Sequence, residues 1–530
     1  MWDCGLCYNR RMETSQRQVA RAAALVMAAF AVSRLLGLVR QMTFGAYFGI
    51  GPEMDAYVAA VSIPDAIFLI VAGGALGSAF IPLFTGRLAR GEVAAAWRLY
   101  SAVITLLVAV VAPISLLCIL LAPWLVGTIV APALPPEVQA RTVALMRVML
   151  LSPTIFSVSG IVMGALNAHQ HFLLPAIAPI VYNVGLIVGA MWGGLTPLGA
   201  MGASIGMVVG ALGHLLIQVP GLWRYGAQFR PTVGRGDSGV REVGRLIAPR
   251  MLGMAASQIN MIVTRNLASR QGAGAISSLE YAWRVMLLPQ GIFAQAVGTA
   301  VFPTFSQQAA LGHTDALKTT LINALRTLIA LTLPASVGMI VLGEPLVALL
   351  FERGAFGAES TGAVAWALAF FALGLVGHSA LEILGRAFYA LQDTWTPAKA
   401  ATVSVALNAL LGLLLPSLFS RLQLLPLGGL ALATAMATLV EMTILLMRIR
   451  ARLGSLRGRD LAETTVRVAL ASAGMGLALW ALGRVWETSL VLLALVGVPL
   501  GAVVYLVLAW LLGIEQLLSA ARMILGRARA

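Results

Sequence analysis

Fourteen stretches of this chain are apolar over enough residues to cross a bilayer as helices. They lie near 19–48, 54–84, 98–128, 142–166, 174–194, 199–221, 241–267, 275–306, 317–347, 360–389, 397–416, 425–449, 464–484 and 488–514. A spanning helix needs about 20 mainly apolar residues. In lipid the backbone must bond to itself, which leaves helices or closed barrels. These runs are continuous rather than alternating, so the expected fold class is an all-α polytopic membrane protein of about fourteen transmembrane helices. Composition agrees: 11% of the 530 residues are charged, against about 25% in soluble domains. Pro64 and Pro289 predict kinks in the second and eighth spans.

The net charge of +15 would suggest nucleic acid in a soluble protein. Here it marks the loops that stay inside the cell. Arginines gather before the first span (Arg10, Arg11, Arg17), after the second (Arg87, Arg90) and after the sixth (Arg224, Arg230, Arg235). They gather again after the twelfth (Arg448, Arg450, Arg452, Arg457, Arg459) and at the end (Arg522, Arg527, Arg529). With fourteen spans all these loops fall on one side, so both termini are predicted cytoplasmic. No G-x-x-x-x-G-K-[ST] loop exists, which excludes a Walker nucleotide site in this chain. Cys4 and Cys7 form a lone C-x-x-C, too few ligands for structural zinc. Cys118 lies in an apolar run and reads as packing.

The chain repeats itself. In ALNAHQHFLLPA (165–176) and AFYALQDTWTPA (387–398), Ala165, Gln170 and Pro175 match Ala387, Gln392 and Pro397, each 222 positions on. GSAFIPLF (77–84) and GTAVFPTF (298–305) align Pro82 with Pro303, 221 positions on. Six spans separate the copies, so the repeats run parallel. The expected organisation is a cytoplasmic extension (1–18), an N-lobe of six spans (19–221), a basic linker (222–240) and a C-lobe of six spans (241–449). A second basic linker (450–463), a helix pair (464–514) and a basic tail (515–530) follow. Paired repeats are a transporter signature, with substrate bound between them.

Charges inside spans cost at least a few kcal/mol and usually face a cavity or a partner. The first span holds Arg34 and Arg40, with Ser33 beside the former. They sit about 9 Å apart along the helix with faces about 120° apart, so both can border one wide cavity, or snorkel. Asp55 and Asp65 open the second span, where acids also suit the helix dipole. Arg284 and Glu280 share a helix face in the eighth, as a cavity cation with its acid or as an ion pair. Asp55 and Glu280 each stand nine residues before their span's proline. Guanidinium groups bind phosphate in a fork, so the pattern points to an anionic substrate, a phosphate or diphosphate.

The motifs SRLLGLVRQ, DAYVAAVSIPDAIF, GALGSAFIPLF, SQIN, YAWRVMLLPQGIF, GTAVFPTFS, LFERGAF and FYALQDTWTP resemble those of the MurJ/MviN family of lipid II flippases, within the multidrug/oligosaccharidyl-lipid/polysaccharide exporter superfamily. The resemblance runs from about residue 20 to 515. It implies a fourteen-helix flippase of the bacterial inner membrane, not an enzyme. Such a protein carries undecaprenyl-diphosphate-linked disaccharide–pentapeptide to the outer leaflet by alternating access. Arg34, Arg40 and Arg284 match the family's cavity arginines, Asp55 its acid in the second span, and Asp393 is retained. The last two helices correspond to a groove for the lipid tail. The implied partners are the lipid-linked saccharide, membrane lipids and cell-wall synthesis enzymes, with no nucleic acid. No cofactor is implied beyond the sodium ion that some members hold through an acid in the seventh span; here Thr264 stands there. The chain also departs from the family at Gln41 (commonly Asp), Phe68 and Leu69 (an arginine pair), Trp283 (often Asp) and Leu287 (an acid). Two other functions fit the superfamily: a flippase for another lipid-linked oligosaccharide, and a drug/cation antiporter. The antiporter wants acidic rather than arginine-rich spans. A membrane glycosyltransferase would want paired carboxylates on a soluble loop, which the sequence lacks.

Overall fold

The computed structural model describes residues 4–71, 80–234, 236–454, 458–486 and 489–516, without the side chains of 4–25, 71, 246–253 and 256. The side chains of Cys4, Cys7, Arg10, Arg11 and Arg17, the linker residues Arg235 and Arg457, the start of the repeat motif at 77–79 and the tail arginines Arg522, Arg527 and Arg529 lie outside the described residues. The regular elements among the described residues are all helical. Contacts divide the chain into two compact units, residues 1–48 with 52–258 and residues 49–51 with 259–530.

The first unit holds α1 (Cys4–Phe48), α2 (Pro52–Ala60), α3 (Ser62–Val71), α4 (Ile81–Ala89), α5 (Val93–Trp124), α6 (Pro136–Met149), α7 (Ser152–Ala168), α8 (Leu173–Leu195), α9 (Ala200–Leu216), α10 (Val219–Trp223) and the start of α11 (Ser238–Ala268). The second holds the rest of α11, then α12 (Ala275–Pro289), α13 (Gln295–Ala310), α14 (Thr314–Val341), α15 (Gly343–Phe351), α16 (Ala358–Leu373), α17 (Leu375–Ala390), α18 (Trp395–Arg421), α19 (Leu427–Leu453), α20 (Gly458–Val485) and α21 (Leu490–Leu511).

Among the described residues, eleven helices are long and apolar enough to cross a membrane, and the bent pair α16–α17, broken by 46°, makes a twelfth. The two remaining expected spans are the second and the seventh. The second is divided into α2, α3 and α4, with 72–79 outside the described residues. The seventh lies on α11, whose apolar run is interrupted by Gln258, Asn260, Arg265 and Asn266. Both proline-marked spans break as expected. α2 gives way to α3 one turn before Pro64, and α12 passes into a π-helical turn at 290–294 directly after Pro289. Large apolar side chains such as Leu477, Trp480, Val503 and Trp510 stay exposed on the protein surface. That is the pattern of helices whose outer solvent is lipid rather than water.

Within the first unit, α8 and α9 meet through glycine. Gly185, Gly189 and Gly193 face Gly202, Gly206 and Gly210, and a Cβ built on Gly206 would lie 2.5 Å from the Gly185 carbonyl oxygen and 2.8 Å from the Gly189 Cα. Small residues at this spacing let two backbones approach closely where no hydrophobic force pushes helices together. An aromatic core of Phe80, Phe84, Trp97 and Tyr100 ties α4 and α5 to α7. In the second unit Phe305, Leu321, Leu328, Ile383, Phe388 and Ile449 form the main core. The α20–α21 pair docks on α14, where the Tyr505 hydroxyl donates to the Ala330 carbonyl at 2.6 Å.

The two copies of the repeated motif end in the same turn, a turn that also closes α18 at Gln423. Gln170 and Gln392 both hold φ of 59°. After α7, the His171 amide donates to the Leu166 carbonyl; after α17, the Asp393 amide donates to the Phe388 carbonyl, each at 2.9 Å. This is a six-to-one helix cap with a left-handed residue, normally a glycine position.

One loop clamp carries a testable pH dependence. Arg87, at the end of α4, forms a two-pronged ion pair with Asp237 and also donates to the Ala95 carbonyl at 2.9 Å. The hydrogen bond from Arg87 is the main cause that holds the Asp237 carboxyl below its ordinary range. A depressed carboxyl stabilises the fold above its unfolded pKa, about 3.9, and that stability is lost as pH falls through the folded value. Asp237→Asn should therefore lower stability at pH 7 by about 1–2 kcal/mol. The gap in melting temperature between variant and wild type should narrow at pH 3.

Candidate functional site

In the first unit the site is built on α1 and α8. Arg40 is half-buried, and its Nη1 donates to Asn183 Oδ1 at 3.1 Å. Asn183 is itself oriented by donating to the Pro179 carbonyl at 3.0 Å. The Arg40 Nε is buried and makes no hydrogen bond. Arg34 is exposed and Ser33 half-buried, about a turn and a half earlier on the same helix. Asp55 is fully buried in the first turn of α2. Its neighbour Glu53 accepts the Ala200 amide at 2.7 Å and so fastens α2 to the start of α9. Asp65 occupies the first turn of α3, at the break.

In the second unit the site is a buried ionic triad. Glu280 is central. Its Oε1 accepts from Arg284 Nε at 2.8 Å and lies 2.7 Å from Arg284 Nη2, while its Oε2 accepts from Arg265 Nη2 at 3.2 Å. The i,i+4 ion pair on α12 is thus formed, and a second arginine from α11 joins it. The Glu280 and Arg265 side chains are each 10% exposed, whereas Arg284 is 40% exposed. Arg265 was not singled out by sequence. Nothing in its spacing from Glu280, fifteen residues across a turn, says that the two helices bring them together.

Asp393 has two structural tasks. It accepts from the Thr396 amide at 3.0 Å and the Thr396 hydroxyl at 2.8 Å at the start of α18, and it pairs with Arg452 at 3.0 Å. Burial would raise its carboxyl, but these hydrogen bonds and the Arg452 charge outweigh it and hold the pKa low.

Where the sequence departs from the family's charges, the structure places neutral contacts. Phe68 lies against Phe156 with ring centroids 4.9 Å apart. Trp283 stands edge-on to Phe371 and His378 at 5.4 and 5.0 Å. Gln41 is buried and Leu287 half-buried. Around Thr264, the Asn408 amide donates to Asn260 Oδ1 at 2.8 Å and to Thr264 Oγ1 at 3.1 Å, and the Thr434 hydroxyl donates to Asn408 Oδ1 at 3.2 Å. An amide N–H group here points at the oxygens that a cation would need, and Asn260, Thr264, Asn408 and Thr434 are all neutral. Among the described residues there is no cluster of three or more His, Cys, Asp or Glu side chains that could hold a metal. These residues do not fit a sodium ion.

Two units of membrane-crossing helices, with arginines held inside them by acid and amide partners, define a multi-pass membrane transporter. The solved structure of a multidrug resistance MATE family transporter of the MOP superfamily, inward-facing, shares this fold: TM-score 0.65 at 14% identity, covering 82% of this chain and 99% of that one. The likeness to a solved lipid II flippase MurJ in its inward closed conformation is stronger, with TM-score 0.77 at 26% identity over 92% of this chain and 98% of that one. The family model for lipid II flippase MurJ matches residues 44–498. A probable lipid II flippase MurJ from Rhizobium tropici is 30% identical, covering 91% of this chain and 92% of its own length. The chain belongs to the lipid II flippase MurJ family.

Proposed function

We propose that this protein carries lipid-linked peptidoglycan precursor, lipid II, from the cytoplasmic to the outer leaflet of the bacterial inner membrane by alternating access, with both termini in the cytoplasm. The observation that carries the reading is the partly exposed guanidinium of Arg284, held by Glu280, which the buried Arg265 also meets. Membership of the MurJ family supplies the substrate class. The residues assigned to the diphosphate are Arg284 on α12 and Arg34 and Arg40 on α1, and Asp55 on α2 is assigned as a gating acid. Membrane lipid surrounds the exposed apolar faces of α20 and α21, where the polyprenyl tail runs. A potential across the membrane resets the basic site, since one charge crossing 100 mV is worth about 2.3 kcal/mol. A flippase for a different lipid-linked saccharide is the second reading, favoured by Phe68, Leu69, Trp283 and Leu287 standing where the family carries charge.

Complementation separates the two. A bacterium depleted of its own lipid II flippase should grow when this protein is expressed in its membrane. Failure to rescue at verified expression, with flipping of another lipid-linked saccharide in vesicles, would move the second reading to the front.

A further inference from the structure

A hydrogen-bonded chain of neutral side chains crosses the interior of the second unit. It starts on α11, where Asn260 Oδ1 accepts from the Asn408 amide of α18 at 2.8 Å. Asn408 Oδ1 accepts in turn from the Thr434 hydroxyl of α19 at 3.2 Å. One turn on, about 6 Å along that helix, the Thr438 hydroxyl donates to the Thr434 carbonyl at 2.9 Å. With its proton committed there, Thr438 Oγ1 accepts from His378 Nε2 of α17 at 3.0 Å. That fixes the imidazole tautomer and leaves Nδ1 as an acceptor. His378 stands edge-on to Trp283 of α12, the residue before Arg284. The middle of the chain is closed and its ends are open. Asn408, Thr434 and Thr438 are buried and bonded. Asn260, His378 and Trp283 are half-buried. Asn260 Nδ2, His378 Nδ1 and Trp283 Nε1 have no hydrogen-bond partner among the described residues, yet none is a buried orphan. A polar atom turned to lipid without a partner costs several kcal/mol. These two donors and one acceptor therefore face a space that holds water or a polar ligand. Phe371 and His378 meet the indole at 69° and 82°, so neither lies flat on it. An amide, an imidazole and an indole without charge suit a neutral polyhydroxylated ligand. Its hydroxyls exchange hydrogen bonds with the polar atoms, and the apolar face of a sugar ring packs on the indole.

We propose that Trp283, His378 and Asn260 form a saccharide subsite in the second unit, with Trp283 as the stacking platform for the sugar next to the diphosphate. This rests on the reading of the protein as a flippase for a lipid-linked saccharide, with Arg284 on the diphosphate. Arg284 follows Trp283 directly on α12, and successive side chains on a helix point about 100° apart. A ligand whose diphosphate meets Arg284 can thus lay its first sugar on the indole. The subsite makes recognition depend on the saccharide and not on the anion alone.

The experiment uses the full chain reconstituted in vesicles, with melting temperatures recorded for each variant. The probes are a fluorescent short-chain polyprenyl diphosphate and the same lipid carrying a disaccharide. Wild type should bind the disaccharide lipid about tenfold more tightly than the bare one, ~1.4 kcal/mol. Trp283→Ala should bring that ratio close to one. Trp283→Phe keeps a ring but loses the N–H, and should fall between. Asn260→Ala removes one hydrogen bond and should lower the ratio about threefold. Arg284→Gln should weaken both lipids alike and keep the ratio. A wild-type ratio in Trp283→Ala overturns the proposal. Should that variant fail to fold, an unchanged ratio in both Trp283→Phe and Asn260→Ala overturns it equally. Wild type itself separates the proposal from the reading beneath it. Equal binding of the two lipids overturns the subsite alone, whereas binding of neither overturns the flippase reading and the subsite with it.

Discussion

Arg284→Ala should reduce translocation in vesicles by about a hundredfold or more while leaving the protein folded. Truncating one partner of a hydrogen-bonded charge pair costs about 2–5 kcal/mol where binding depends on it, and each 1.4 kcal/mol is about a factor of ten. The fold survives because Glu280 keeps its bond to Arg265, so the variant retains a neutral buried pair rather than an orphaned carboxylate. Arg284→Lys should fall between the two: it keeps the charge but loses the planar fork that matches phosphate oxygens. Flipping rate and melting temperature, measured together, check this. A wild-type rate in Arg284→Ala would remove the residue from the substrate path.

The second large effect is on stability and comes from the glycine seam. Gly206→Leu should lower the melting temperature sharply and leave little monodisperse protein. A Cβ at this position already meets the Gly185 carbonyl oxygen at 2.5 Å and the Gly189 Cα at 2.8 Å, and neither is a side chain that can swing away. The leucine would have to drive α8 and α9 toward the ordinary ~8–10 Å helix separation, which breaks up the unit's tightest packing. The cost should be about 3 kcal/mol or more, the upper range for overpacking. Gly338→Ala is the control. That glycine sits in the last turn of α14 with nothing within 4 Å of a built Cβ. Replacing it should raise stability by up to about 1 kcal/mol through helix propensity. A wild-type melt for Gly206→Leu would mean that the two backbones are not in contact.

The membrane fold, the repeats and the proline breaks were legible because each is a one-dimensional signal: long apolar runs, loop arginines, a recurring motif. The site was legible only in part. Arg284 and Glu280 sit four apart on one helix, and helical periodicity alone pairs them. Arg265 and Glu280 come from successive helices, and Arg40 and Asn183 are 143 residues apart. Such partners are chosen by tertiary packing, which no local pattern encodes. The glycines at 185, 189 and 193 recur every fourth residue, a signal spacing could have supplied. That spacing does not name the facing set on α9. Asp393 is a further case: the motif retains an acid, and the contacts that surround it, a helix start and an ion pair, come from packing that the motif does not name.

The paired turns at Gln170 and Gln392 give the molecule an internal control. Both copies have the same left-handed glutamine and the same capping hydrogen bond. The next residue differs: His171 stands edge-on to the Tyr225 ring in one, whereas Asp393 pairs with Arg452 in the other. The turn is thus a socket whose backbone is fixed and whose last side chain is exchangeable. A change that harms the protein equally in either socket reports on the shared scaffold. One that matters in a single socket reports on what that half alone has come to do.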